Sequence, residues 1–259
     1  MTAAAIESLR AEHERAVVLF ASLDDADWQA ASGCDGWRVQ DVVQHMASTF
    51  HLIADPGTID GGSSDDAEVN AEVPVRARRD WTTEQVLDEY REWAEKGIAT
   101  LTAMQEPPLA DTVIPLGNLG SHPMHILANA IVFDHYCHLR HDIGAAIRAA
   151  AALPRDEAAL DATLEWMLAG LPQMCATALA SCDQGVNLAF DGSHGVHALR
   201  PAESGGWEVV PGADPALPTV TTTAHDFVAW ATKRCDWRSC GVEASDEATA
   251  RTLDAINII

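Results

Sequence analysis

Residues 121–150 read SHPMHILANAIVFDHYCHLRHDIGAAIRAA, and this stretch decides how the first half of the chain folds. At helical period, one stripe of it collects Leu127, Ile131, Asp134, His138 and then His141 or Asp142. A carboxylate and an imidazole therefore interrupt a face that is otherwise hydrophobic core. A carboxylate in a helical core persists when it is protonated, ion-paired or bound to a metal. Because Asp134 and His138 are four residues apart, they lie on adjacent turns within reach of a single ion.

The composition indicates a globular protein with an acidic surface. The chain has 259 residues, of which 47% are hydrophobic, and its 16 basic and 39 acidic residues give a formal charge of -23. Because such a charge repels phosphate backbones and anionic headgroups, we expect neither a nucleic-acid nor a membrane partner. No apolar run is long enough to span a bilayer, and the N-terminus lacks the pattern of a signal peptide. We therefore expect a soluble, cytoplasmic protein, as a monomer or a dimer.

The cysteines indicate no zinc knuckle and no redox motif, because none of them forms a C-x-x-C pair. In a cytoplasmic chain of this size we expect all of them to be reduced thiols. Cys137 lies off the stripe of Asp134 and His138, so we interpret it as a packing residue. The six are Cys34, Cys137, Cys175, Cys182, Cys235 and Cys240.

Three amphipathic helices are predicted before this stretch, over 2–23, 39–53 and 82–104. The second follows the glycine-bearing turn GCDGW at 33–37, and Thr82 with Gln85 forms a capping box for the third. The segment 55–79 has no sustained period, so we expect a long loop there. On the first helix His13 faces inward, as core histidines commonly do, although it is also a candidate for lining a pocket.

Together with the helix expected from Ser121, these helices predict an antiparallel four-helix bundle with a long crossover. Bundles of this kind place metal sites in their core, on facing helices. His45 lies at the edge of the buried face of the second helix, from which it can reach the centre or turn outward. With Asp134 and His138 it would make a set of two nitrogens and one oxygen that leaves positions open for water or substrate.

The second half of the chain predicts a small α+β domain with an antiparallel sheet. A helix is expected over 156–181, and from Val186 the period changes to two in the short runs VNLAF, GVHAL, WEVV and PTVTTT. Two more helices are expected over 224–234 and 246–256. We therefore predict an α+β protein of two domains, 1–152 and 153–259.

Three segments carry a resemblance to a known family: CDGWRVQDVVQHM (34–46), FDHYCHLRHDI (133–143) and DFVAWATKRCDW (226–237). Together they resemble the mycothiol-dependent maleylpyruvate isomerase family, whose N-terminal half is a DinB-like bundle. The resemblance implies a metal-binding four-helix bundle followed by a smaller α/β domain of sterol-carrier-like pattern. It also implies that the metal ligands are His45, Asp134 and His138, against the alternative of a buried polar network without metal.

The chain departs from that family at two positions. Arg38 stands where a helix-capping Thr or Ser is usual, which costs the second helix about 1 kcal/mol unless another group substitutes. Asp134 stands where the family has a glutamate, so its shorter carboxylate must draw the helix inward or bind the metal through water.

The resemblance implies an isomerase or S-transferase that uses a divalent metal, with zinc expected, and mycothiol or a similar small thiol. Its partners would be that thiol and a small anionic substrate, which Arg234 would hold by its carboxylate. The alternative for Arg234 is a cation that stabilises the end of a helix. Arg76, Arg78 and Arg79 either bind an anion or form a solvated patch.

Two other functions remain open from the sequence. A metal-dependent hydrolase would need a general base, for which His13, His135 and His141 are the candidates by position. A non-catalytic carrier of small ligands would use the C-terminal domain without a metal.

Overall fold

The computed structural model describes residues 2–258, which form two compact units. The first unit runs to Gly117 and resumes over Ser121–Thr163, and the second comprises Asn118–Gly120 and the chain from Leu164 onward. The first unit therefore continues beyond position 152, where the sequence placed the boundary. None of the described helices combines the length and the hydropathy that crossing a bilayer would require.

The first unit is helical, and its core is a four-helix bundle, as predicted. Helix α3 packs along α5 and α1 packs along α6, around fully buried side chains such as Leu9, Phe50, Tyr90 and Leu101. The described helices of this unit are α1 (Thr2–Phe20), α2 (Asp25–Gln29), α3 (Val39–Ala54), α4 (Ala67–Ala77), α5 (Thr83–Ala103), α6 (Leu127–Cys137), α7 (Gly144–Ala146) and α8 (Arg148–Ala151).

Helix α4 corrects the prediction of an uninterrupted loop over 55–79. Its N-cap is Asp66, whose side chain accepts hydrogen bonds from the backbone N–H groups of Glu68 and Val69. The helix has no broad apolar face: Val69 is 54% exposed, and Pro74 and Val75 are its only buried residues. A helix without a broad apolar face has no hydrophobic period, which is why the sequence did not reveal it.

The segment before α6 corrects the prediction of a helix from Ser121. Residues Ser121–Pro123 form strand β2, which pairs antiparallel with β1 (Val113–Pro115). A 3-10 turn over Met124–Ile126 then leads into α6. Beyond α6 the helix widens into a π-helical segment, His138–Ile143. Such segments are rare and are frequent at functional sites.

The second unit contains a four-stranded sheet flanked by helices, which confirms the α+β class. Its strand order is β5-β4-β3-β6, where β4 runs antiparallel to both neighbours and β6 runs parallel to β3. Phe190 of β3 packs edge-on against Phe227 of α11, and Phe227 packs edge-on against Trp230. The strands are β3 (Val186–Phe190), β4 (Val196–Pro201), β5 (Trp207–Pro211) and β6 (Thr219–Thr222). The helices after Pro154 are α9 (Glu157–Met174), α10 (Ala176–Leu179), α11 (Ala224–Ala231) and α12 (Glu247–Ala255).

One pair of cysteines differs from the expectation of six reduced thiols. Cys235 and Cys240 form a disulfide across the 3-10 turn Trp237–Cys240, while the other four cysteines are in no disulfide. The expectation rested on the reduced state that is usual for cysteines of a cytoplasmic chain, and it is wrong for this pair. Cys137 is buried, as a packing residue should be.

Candidate metal centre

Three predicted ligands from two helical segments lie together in the bundle. His45 comes from α3, Asp134 from α6, and His138 is the first residue of the π-helical segment. Asp134 Oδ1 lies 3.1 Å from His45 Nε2 and 3.4 Å from His138 Nε2, and the three ligand atoms all lie within 4.8 Å of one another. The three side chains are 12–16% exposed, so they are not fully shielded from solvent. Three protein ligands of this kind would hold one ion and leave positions on it open.

Charge inside this cluster is balanced by the imidazoles. Burial alone would raise the pKa of Asp134, but His138 and His45 outweigh it and hold this pKa well below its usual range. Burial alone would lower the pKa of His138, whereas Asp134, with hydrogen bonds to Asp134, Asp142 and Cys34, raises it well above its usual range. A divalent cation bound by the same atoms would take the place of the proton that these shifts favour on His138.

One oxygen of Asp134 tests whether a metal fits. Within residues 2–258, Asp134 Oδ2 is buried and accepts no hydrogen bond, although His135 Nδ1 lies 3.5 Å from it. That nitrogen donates instead to the carbonyl oxygen of Ile131, at 3.0 Å. A buried carboxylate oxygen without a donor is costly unless a cation binds there. The donor set of two nitrogens and a carboxylate therefore fits a divalent ion such as zinc.

Asp142 orients His138 through the ring nitrogen that does not face Asp134. Its Oδ2 lies 2.6 Å from His138 Nδ1, and because a carboxylate only accepts, that nitrogen carries the hydrogen. Nε2 of the same ring is then directed towards Asp134, in the carboxylate–histidine arrangement common around metals. Asp142 is fully buried.

The π-helical segment that carries these residues is anchored to the first helix. Arg140 donates to both carboxylate oxygens of Glu12, at 2.8 and 2.9 Å, and its guanidinium lies 3.9 Å from the ring of Tyr136. Arg140 also donates to the carbonyl oxygen of Pro154. A buried pair with this many hydrogen bonds holds the segment in one conformation, and with it the positions of His138 and Asp142.

Cys34 is a neighbour of the cluster that the sequence did not suggest. Its sulfur lies within 4.8 Å of the ligand atoms of His138 and Asp142. The backbone N–H of Gly33 donates to the carbonyl oxygen of Asp142 at 2.8 Å, and a Cβ on Gly33 would meet the Cα of Asp142 at 3.0 Å. The glycine therefore allows the GCDGW turn to approach the π-helical segment. The position of this motif just before the helix of His45 was the signal available in the sequence.

The start of α3 shows how Arg38 replaces a capping Thr or Ser. An arginine side chain has no acceptor, so Asp41 instead accepts the backbone N–H of Arg38 at 2.9 Å. The guanidinium of Arg38 binds both oxygens of Asp41, at 3.0 and 2.9 Å. Burial alone would raise the pKa of Asp41, but the hydrogen bonds and charge of Arg38 lower it. Asp41 thus satisfies a backbone N–H at the start of the helix, and His45 lies one turn after Asp41.

A second cluster of histidine and carboxylate lies in the same bundle. Glu89 of α5 lies 3.2 Å from His51 Nδ1 and 3.0 Å from a guanidinium nitrogen of Arg78. His51 stacks on Trp93 with ring centroids 3.6 Å apart, and its Nε2 lies 2.9 Å from the hydroxyl of Thr58. Arg78 is thus part of a buried ion pair and is unsuited to binding an anionic ligand.

Two of the three histidines proposed as bases for a hydrolase, His13 and His135, contact other groups in the core. His135 is fully buried, burial lowers its pKa to about 4, and its Nε2 lies 3.1 Å from the hydroxyl of Tyr90. His13 Nδ1 lies 3.3 Å from the same hydroxyl, and burial lowers its pKa. These contacts argue against a general-base role for either residue.

The remaining arginines differ in how they are engaged. Arg76 is 74% exposed, and Arg79 donates to the carbonyl oxygen of Gly36 at 2.8 Å. Arg234 is exposed, three residues beyond the end of α11, and its backbone N–H donates to the carbonyl oxygen of Ala229. The other arginines of the second unit bind carboxylates of their own unit. They are Arg200 with Glu208 and Asp214, Arg238 with Asp254, and Arg251 with Glu247.

Comparison with known proteins places this chain in a family. The sequence profile described as "Mycothiol maleylpyruvate isomerase N-terminal domain" matches residues 9–144, which include all three predicted ligands. No curated protein sequence matches the chain. Among solved structures, that of the mycothiol-dependent maleylpyruvate isomerase is similar with a TM-score of 0.58 at 14% identity, over 95% of this chain and 93% of that one. A histidine-to-alanine mutant of that isomerase is similar with a TM-score of 0.56 at 14% identity, over 91% and 90% of the two chains.

Proposed function

Because this chain belongs to the family of the mycothiol maleylpyruvate isomerase N-terminal domain, we propose that it is a metal- and thiol-dependent isomerase or S-transferase. The observation that carries the proposal is Asp134, whose buried Oδ2 accepts no hydrogen bond within residues 2–258 while its Oδ1 faces two imidazoles. The substrate class is a small anionic molecule with an activated double bond or carbon. Mycothiol, which the similar isomerases are named for, is the proposed thiol.

The residues of the cluster would have different roles in holding a metal. His45, Asp134 and His138 would bind it, and Asp142 would keep Nδ1 of His138 protonated so that Nε2 faces the ion. A divalent ion, with zinc proposed, would lower the pKa of a thiol that reaches an open position, which supplies a nucleophilic sulfur near neutral pH.

Substrate binding is assigned to Arg234. A planar guanidinium binds a carboxylate by two parallel hydrogen bonds. Arg234 is exposed, and it lies in the segment DFVAWATKRCDW that carries part of the family resemblance.

The proposal is tested by metal analysis and a thiol-dependent assay on the purified chain. We expect about one divalent ion per chain, and conversion of maleylpyruvate as probe substrate only when both metal and mycothiol are present. A chelator should abolish turnover, and readdition of zinc should restore it. A stable adduct of thiol and substrate would indicate the S-transferase. Turnover by the metal-free protein, or without thiol, would contradict the proposal.

The role of Arg234 is tested by Arg234→Ala, with Arg251→Ala as the matched control from the same unit. Loss of a charge-assisted bidentate pair corresponds to about 2–3 kcal/mol, or roughly thirty- to two-hundred-fold in kcat/KM. Metal content and Tm should stay at wild-type values, because the substitution removes binding energy for substrate only. Equal kcat/KM in the two variants would assign Arg234 to the surface.

A further inference from the structure

A tryptophan lies against one of the metal ligands. The ring of Trp37 has its centroid 5.5 Å from that of His45, tilted by 46°, and His138 lies on another side of His45 at 5.0 Å and 77°. His45 Nε2 points towards Asp134 at 3.1 Å. The imidazole of His45 therefore has its orientation limited by two rings and one carboxylate.

Trp37 itself is fixed by its backbone and by a distant carboxylate. Its N–H donates to the carbonyl oxygen of Cys34 at 3.1 Å, and its own carbonyl oxygen accepts from Ser32. The indole N–H donates to Glu72 Oε2 at 2.7 Å, across 35 positions of sequence. A charge-assisted hydrogen bond of this length is among the stronger contacts available to an indole.

Glu72 belongs to α4, and α4 is attached to the GCDGW turn at further points. Arg79, just beyond α4, donates to the carbonyl oxygen of Gly36 at 2.8 Å, and Arg38 donates to the carbonyl oxygen of Arg79 at 3.1 Å. These polar contacts join α4 to the turn, in addition to its buried residues Pro74 and Val75.

We propose that Trp37, held by Glu72, is a positioning residue that fixes the ring of His45 for metal binding. The inference rests on the metal site proposed above and adds a residue from outside the ligand set. Fixing the ring in advance reduces the conformational entropy that the ligand loses when it binds. Partners that orient a metal ligand typically change metal affinity by ten- to a hundred-fold when removed.

Helix α3, which carries His45, offers a matched control. His51 of α3 also has a tryptophan partner, Trp93, but it lies beside Glu89 and Arg78. Replacing Trp93 by Phe removes an indole next to a histidine that is no part of the proposed site. Arg76→Gln is the control for α4, because Arg76 is 74% exposed and lies 3.4 Å from the other carboxylate oxygen of Glu72.

The test measures Co²⁺ affinity and the visible absorption of the bound ion in each variant. We expect Trp37→Leu and Glu72→Leu each to weaken Co²⁺ binding about ten-fold or more and to shift the absorption bands. Glu72→Gln keeps an oxygen acceptor for the indole and should restore wild-type behaviour. Trp93→Phe and Arg76→Gln should bind as the wild type does. A thermal melt of each metal-free variant identifies any variant that fails to fold. Because Glu72 is 28% exposed, its substitution is milder than that of Trp37.

Fluorescence gives a second readout. Bound Co²⁺ quenches nearby indoles, so Trp37→Phe should remove the largest share of the quenching and Trp93→Phe should leave it. Wild-type affinity and spectra in folded Trp37→Leu and Glu72→Leu would overturn the positioning role while leaving the metal site intact. Failure of the wild type to bind Co²⁺ or zinc would overturn both proposals.

Discussion

Helix α3 carries two histidines, His45 and His51, and each faces a half-buried or buried carboxylate from another helix. His45 lies 3.1 Å from Asp134 of α6, and His51 lies 3.2 Å from Glu89 of α5. Each also has a tryptophan beside its ring. By sequence pattern the two sites are hard to distinguish.

The difference lies in what neutralises the carboxylate. Glu89 binds the guanidinium of Arg78, a cation that is always charged, and accepts further hydrogen bonds from His51 and Gln44. The ion pairs of Asp134 in the described part of the chain are all to histidines. A proton on an imidazole can be replaced by a metal, whereas an arginine cannot be removed. We infer that a buried carboxylate balanced only by histidines marks the metal site, and one balanced by arginine marks a structural ion pair.

The largest effect is expected where the structural cluster is broken. Glu89→Ala leaves Arg78 and His51 buried with no carboxylate between them, which should lower the free energy of unfolding by about 3–5 kcal/mol. Metal content should not change. Chemical denaturation and elemental analysis check this, with the exposed Glu92 of the same helix as control through Glu92→Ala. Loss of metal in Glu89→Ala would contradict the distinction between a structural ion pair at Glu89 and a metal site at Asp134.

The next effect separates the two histidines of α3. His45→Ala and His138→Ala should each weaken metal binding by at least a hundred-fold, or about 2.7 kcal/mol, so that the purified variants contain no stoichiometric metal. His51→Ala should retain it. Full occupancy in His45→Ala would assign the cluster to a polar network without metal.

A third experiment uses Asp41, a carboxylate that is balanced by arginines as Glu89 is. Asp41→Asn should lower the free energy of unfolding at pH 7 by about 2 kcal/mol, since it removes charged hydrogen bonds to Arg38. Because folding lowers the pKa of Asp41, its contribution is full above its unfolded pKa and is lost as pH falls through the folded value. The difference between the two proteins, measured by denaturation, should therefore hold at neutral pH and shrink below about pH 4. A constant difference down to low pH would exclude the ion pair as its cause.

The smallest effect tests the position at which the chain departs from its family. Asp134→Asn should weaken metal binding about ten-fold or more, roughly 1.4 kcal/mol. Asp134→Glu, with a longer side chain, should bind at least as tightly as the wild type and keep the fold. Isothermal titration with zinc measures both. Equal affinity of wild type and Asp134→Asn would show that this carboxylate binds no metal.

The helical period of the sequence was sufficient to predict the main helices of the bundle. The period of two was sufficient to predict the strands of the second unit. The predicted second helix, 39–53, is α3 (Val39–Ala54), and the run VNLAF is β3. Each of these elements buries an apolar face, and burial of a face imposes a period that can be read along one segment. The same logic selected Asp134 and His138, because polar residues on a buried stripe are conspicuous, whereas His45 was chosen through the family resemblance after its period had left two orientations open.

Only the tertiary structure decided which carboxylate is balanced by arginine and which by histidine. The contact of Arg78 with Glu89 joins two elements, and that of Trp37 with Glu72 spans 35 positions, so neither leaves a local period. Helix α4 has no broad apolar face and was missed for that reason. The widening of the helix at His138 adds one residue to a turn, which a period averaged over several turns does not resolve. The sequence thus determined which side chains point inward, and the fold determined which partners they meet.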